Sequence, residues 1–266
     1  MPAIQPVRLK TQAAQLAEKF SQPAAFARGL RDLLEEYADH THHQGQAGEP
    51  APLLASFKTP PPVLRQVWLE VQPLVSTHPQ EALAMSDILW RQSYIEHRTM
   101  AADILGHLSV SFQNEVINRV QFWTREGIED RLVDTLLERG LTRLRRQSSP
   151  AVIKLIEQWL ANKEPTDKQL GLRLINSLAR DLSFTDLPAL FRLLTPHIRI
   201  APPLLRPELI SILKTLIQRS APEAAFMLRQ NLAVADNPDT AWLLRQVITE
   251  FPPDLQASLR QEIRRK

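Results

Sequence analysis

The 266-residue sequence contains no cysteine. That absence removes disulfides, thiolate metal ligands and cysteine nucleophiles together, and it fits a reducing compartment. Only 7 glycines and 2 tyrosines are present, and the shortage of aromatic and β-branched residues argues against sheets. No apolar run approaches the roughly 18 residues that a membrane-spanning helix needs. The opening MPAIQPVRLKTQ has no apolar core behind its charges, so no signal peptide and a cytoplasmic location are expected. Phosphate-cradling glycine loops, the dinucleotide glycine pattern, HExxH and Gly-x-Ser-x-Gly are all missing. Neither a nucleotide nor an organic cofactor is therefore expected.

Proline, leucine, alanine and arginine are what the chain has in quantity. Its 21 prolines sit in a helix-favouring background, which predicts many helices, each started or stopped by proline. Net charge is +3 and the pI is near 9.4, with 24 arginines against 8 lysines. The planar arginine fork suits phosphate better than the point charge of lysine. A GC-rich coding bias, which enriches Arg, Ala, Leu and Pro together, is the competing explanation.

Apolar positions recur at three- and four-residue steps almost throughout. The stretch from Leu9 to Tyr37 reads as two helices broken near Pro23, the second carrying Phe26, Leu30, Leu33, Leu34 and Tyr37 on one face. Residues 40–52, HTHHQGQAGEPAP, form the expected loop. His40, His42 and His43 lie in it without a carboxylate cluster, so no metal site is expected. From Pro60 onward apolar stripes of ten to eighteen residues alternate with short polar or proline-bearing breaks. They begin with Val63 to Val75, Pro79 to Trp90, Ile95 to Leu108, Ser111 to Trp123 and Ile128 to Leu137. Pro150 to Leu160, Lys168 to Leu182, Asp186 to Leu194, Leu205 to Ile217, Pro222 to Leu232, Thr240 to Phe251 and Pro253 to Ile263 follow. No hairpin signal interrupts them. Paired helices with a combined period in the high thirties predict an all-α, right-handed, HEAT-like helical-repeat solenoid of about six or seven degenerate pairs, a single domain over residues 1–266.

Two local patterns are less generic. One is Ser56-Phe-Lys-Thr-Pro-Pro-Pro-Val-Leu-Arg65, a loop feeding a helix. The other is Leu89-Trp-Arg-Gln-Ser-Tyr-Ile-Glu-His-Arg98, followed by Met100, Ala101, Ala102, Ile104 and Leu105. There a helix ends in Leu-Trp, and Glu96 sits in the first turn of the next, where the positive helix end favours it. Together they resemble the DNA alkylation repair enzymes of the AlkD type, which are HEAT-like solenoids. That family has a Phe/Tyr-Gly-hydrophobic-x-x-Pro-x-x-Arg loop, and this chain has Lys58 where Gly is usual. The resemblance extends more weakly over about residues 24 to 258.

The resemblance implies double-stranded DNA carrying cationic N3- or N7-alkylated purines as the partner. It also implies hydrolysis of the N-glycosidic bond by an Asp, helped by Trp residues and an Arg. Carried over by position, the family's Trp falls on Trp123, its Asp on Asp130 and its later Trp on Trp242. Its Arg falls on Arg206 counting back from Trp242, or near Gly171 and Arg173 counting forward from Asp130. If residues 123–130 are continuous helix, the seven-residue step leaves Trp123 and Asp130 on one face; a loop at Gly127 separates them. Trp68, Trp90 and Trp159 lie in strongly apolar stretches and read as packing.

The densest cationic run, Arg139-Gly-Leu-Thr-Arg143-Leu-Arg145-Arg146, places Arg139, Arg143 and Arg146 on one side if it is helical. Such a run holds phosphates in a DNA-binding protein or is a solvated face. Three functions stay open: an alkylpurine glycosylase, a non-catalytic DNA-binding relative, and a scaffold for a protein partner.

Overall fold

The computed structural model describes residues 4–39 and 54–264. The expected loop at 40–52, with its three histidines, lies outside them. The described residues form fifteen α-helices and no strand, only an isolated bridge between Ala55 and Tyr94. Ten of the helices begin at a proline or one residue before it. There the missing N–H costs nothing and the fixed φ already suits the helix.

The chain divides into two compact units, Met1–Gln147 and Ser148–Lys266. The first holds α1 (Pro6–Ala17), α2 (Pro23–Glu36), α3 (Pro61–Thr77), α4 (Pro79–Trp90), α5 (Ile95–His107), α6 (Gln113–Trp123), α7 (Asp130–Arg139) and the short α8 (Thr142–Gln147). Two rows of helices pack here: α1, α3, α5 and α7 in one, α2 and α4 in the other, with α4 laid firmly on α5. Helix α3 shows how the sequence dictates this. Val63, Val67, Val71 and Val75 recur every four residues and all are fully buried, one apolar stripe turned into the core. Between α5 and α7 the backbones nearly touch. A Cβ placed on Gly106 would lie 1.8 Å from the Arg139 carbonyl oxygen, so only glycine fits there.

The second unit holds α9 (Ser149–Ala161), α10 (Pro165–Arg180), α11 (Leu187–Arg199), α12 (Arg206–Arg219), α13 (Ala221–Ala233), α14 (Thr240–Val247) and α15 (Pro253–Arg264). Helices α10, α12 and α14 pack in one row, α11, α13 and α15 in another, and α9 lies on α10. Helix α11 continues past Leu194, where the apolar stripe ends, because Pro196 is accommodated inside it. Trp159 on α9 is 2% exposed and is core, as its apolar surroundings predict.

Candidate nucleic-acid interface

The two distinctive sequence patterns fold against each other. Ala55 donates its N–H to the Ser93 carbonyl (3.0 Å) and accepts from the Ile95 N–H (3.0 Å), which brings the loop onto the start of α5. Glu96 is 6% exposed. Its Oε1 accepts from the Ser56 hydroxyl at 2.7 Å and the Lys58 N–H at 3.1 Å. Phe57 stacks on Tyr94, centroids 4.2 Å apart, and the Arg31 guanidinium lies 5.6 Å from the Tyr94 centroid. Beneath them His97 is buried, its Nε2 3.3 Å from the Ala27 carbonyl. Burial pulls this imidazole below its ordinary pKa; the Ala27 carbonyl opposes that shift and Arg31 adds to it.

Trp123 closes α6 and is 4% exposed. Its ring lies flat on Trp90, centroids 4.4 Å apart and planes 5° from parallel. Arg98 places its guanidinium 5.1 Å from the Trp90 centroid, within cation–π range. The Trp90 indole N–H donates to Glu126 Oε2 at 2.9 Å. Burial pulls the Arg98 guanidinium below its ordinary pKa, and the Glu126 charge holds it up. The chain then leaves the helix. Gly127 turns with φ +66°, and α7 starts at Asp130. Trp123 and Asp130 are thus on separate helices, so the continuous-helix placement of the pair on one face does not hold. Asp130 is exposed, and so is Asp134 one turn later on the same face, while Leu132, Val133, Leu136 and Leu137 are buried. Asp134 stands four residues after Asp130, a spacing visible in the sequence.

The arginine run is likewise broken. Helix α7 ends at Arg139 and α8 begins at Thr142, with the Thr142 hydroxyl turned back to the Arg139 carbonyl at 2.8 Å. Arg139 therefore does not share a helix with Arg143 and Arg146. Its guanidinium pairs with Asp103 at 3.1 Å. Burial pushes the Asp103 carboxyl upward in pKa, and Arg139 partly offsets the shift. Arg145 donates to the Glu138 carbonyl. Arg143 and Arg146 stand one turn apart on α8, and neither makes an ion pair or side-chain hydrogen bond among the described residues. Trp68 is half-buried and packs edge-on against His107, centroids 4.5 Å apart.

In the second unit Arg206 and Trp242 come together. The guanidinium sits 4.4 Å from the indole centroid, donates to the Ala201 carbonyl at 3.0 Å and pairs with Asp239 at 3.2 Å. Asp239 Oδ2 also accepts from the Ala201 N–H at 2.8 Å. Trp242 is half-buried under this cluster, and Arg173 on α10 is half-buried as well. No metal-binding group of His, Asp or Glu occurs among the described residues, and no helix is long and apolar enough to cross a membrane.

The pattern of the DNA alkylation repair enzyme family matches residues 57–200, more than half of the chain. The chain belongs to the DNA alkylation repair enzyme family. No curated protein and no solved structure matches it. Membership gives Lys58 a physical reading. It stands where the family resemblance expects Gly, and it holds φ +50°, a left-handed conformation that glycine adopts freely and a side chain adopts at a cost. The Glu96 carboxylate accepting the Lys58 N–H holds the turn in place. The residues that sequence reasoning passed over are Asp134, Glu126 and His107, the ring partner of Trp68.

Proposed function

We propose that this family member binds duplex DNA and excises N3- or N7-alkylated purines. The observation that carries the reading is the solvent-facing carboxylate pair Asp130 and Asp134 on α7, inside the family-matched segment. The adjoining α8 offers Arg143 and Arg146, which have no partner among the described residues. A cationic alkylpurine leaves with the electrons of its glycosidic bond and becomes neutral. The sugar is left as an oxocarbenium-like cation, which a facing carboxylate stabilises. The same carboxylate orients the water that adds to the anomeric carbon and takes its proton. Arg143 and Arg146 hold backbone phosphates on this reading. Arg139, Arg145 and Arg206 serve mainly the fold, and Arg173 on α10 is proposed as a phosphate contact within the second unit. Trp123 supports the carboxylate helix through its stack on Trp90, and Trp242 packs against Arg206.

The test is release of N7-methylguanine from methylated duplex DNA by the wild type, D130N and D134N. Release by the wild type that falls at least about 100-fold in one variant supports the reading. A second reading, DNA binding without excision, is favoured by the burial of Trp123, which withdraws its ring from any nucleotide. DNA binding by a wild type that releases no base would select it. Neither binding nor release would select a scaffold.

A further inference from the structure

The segment between α6 and α7 is held by anchors rather than by packing. Among the described residues, leaving out its chain neighbours, nothing lies within 4 Å of the position a Cβ would take on Gly127. On either side, side chains tie it down. The Thr124 hydroxyl donates to the Val120 carbonyl at 2.8 Å. Glu126 accepts from the Trp90 indole N–H at 2.9 Å, and Glu129 accepts from the Leu54 N–H at 3.3 Å. The Glu126 anchor is set in the firmest ground. Trp90 is 1% exposed, bears Trp123 flat on its ring and lies within cation–π range of Arg98. Glu126 itself is exposed and buries no apolar surface that the core would miss. Its carboxylate joins a buried ring to the chain four residues ahead of Asp130.

We propose that Glu126 is a positioning residue: by gripping the Trp90 indole it fixes where α7 begins, and so where the Asp130–Asp134 face is held during excision. The inference rests on the glycosylase reading and assigns Trp90, Trp123 and Arg98 to the mount of the reacting carboxylates. A misplacement of about 1 Å costs an enzyme up to roughly 100-fold in rate, so a lost anchor registers in the chemical step before it registers in stability.

The experiment is single-turnover release of N7-methylguanine from methylated duplex DNA by the wild type, E126A and E126Q, with DNA affinity, melting midpoint and tryptophan emission measured alongside. Gln keeps an oxygen acceptor for the indole N–H; Ala does not. E126A is expected to lower the rate constant about tenfold and to shift tryptophan emission. Its affinity stays at the wild-type value, its melting midpoint falls by no more than a few degrees, as the loss of one hydrogen bond implies, and E126Q recovers most of the rate. Wild-type release by E126A would overturn the proposal. So would a loss of rate that only tracks a fall in melting midpoint, or an E126Q as slow as E126A. A wild type that releases no base would show that the glycosylase reading has failed, and this role with it. That outcome is told apart because it appears before any variant is compared.

Discussion

Arg206 and the Arg143–Arg146 pair look alike in sequence and stand in opposite circumstances. Arg206 is spent inside the second unit: it meets the Ala201 carbonyl, the Asp239 carboxylate and the Trp242 ring at once. Arg143 and Arg146 on α8 meet no internal acceptor among the described residues. The tryptophans divide in parallel. Trp123 is core, flat against Trp90, whereas Trp242 is half-buried beneath an arginine. A cation or ring already engaged by the fold stabilises it. Only an unengaged one is available to a phosphate backbone without first breaking something.

Variants that remove engaged groups should move stability, and variants that remove free ones should not. The largest effect belongs to Trp123→Ala, expected to cost about 3–5 kcal/mol in chemical denaturation, since a buried ring leaves a cavity and a bare Trp90 face. A cost below about 1 kcal/mol would mean that the stack is not core. Arg206→Ala should cost about 1–2 kcal/mol, because its hydrogen bonds and ring contact are partly exposed and screened. Lys58→Gly should raise stability by about 0.5–1 kcal/mol, as relief of the left-handed strain exceeds the extra freedom of glycine in the unfolded chain. A loss on that substitution would show that the lysine side chain itself holds the loop.

The fold was legible because proline and leucine mark it so plainly. Pro23, Pro79 and Pro253 each open a helix where expected, and the valines of α3 announce their buried stripe. The site was less so. Gly140 is the only punctuation in residues 139–146, and one glycine inside an amphipathic run does not reveal that α7 stops and α8 begins. The break coincides with a tertiary contact, the Arg139 carbonyl lying against Gly106 of α5, between residues far apart in sequence. The partners of Trp123 and Glu126 were hidden for the same reason, since both lie on Trp90. The Lys58 turn was half visible, as a departure from an expected glycine whose cause only the backbone angle supplies. Asp134 was visible by its four-residue step from Asp130 and was passed over in favour of the first carboxylate.

The central claim is that the uncommitted arginines of α8 face a nucleic acid. The measurement that tests it most directly is the salt dependence of duplex DNA affinity for the wild type, the Arg143→Ala/Arg146→Ala double variant and Arg206→Ala. Each phosphate contact adds about 0.9 to the slope of log affinity against log salt. The account predicts that the double variant keeps its melting midpoint and loses about 0.9 from that slope for each arginine removed, while Arg206→Ala loses stability and keeps the wild-type slope. A double variant with an unchanged slope, or a wild type whose affinity for DNA does not respond to salt, would contradict it.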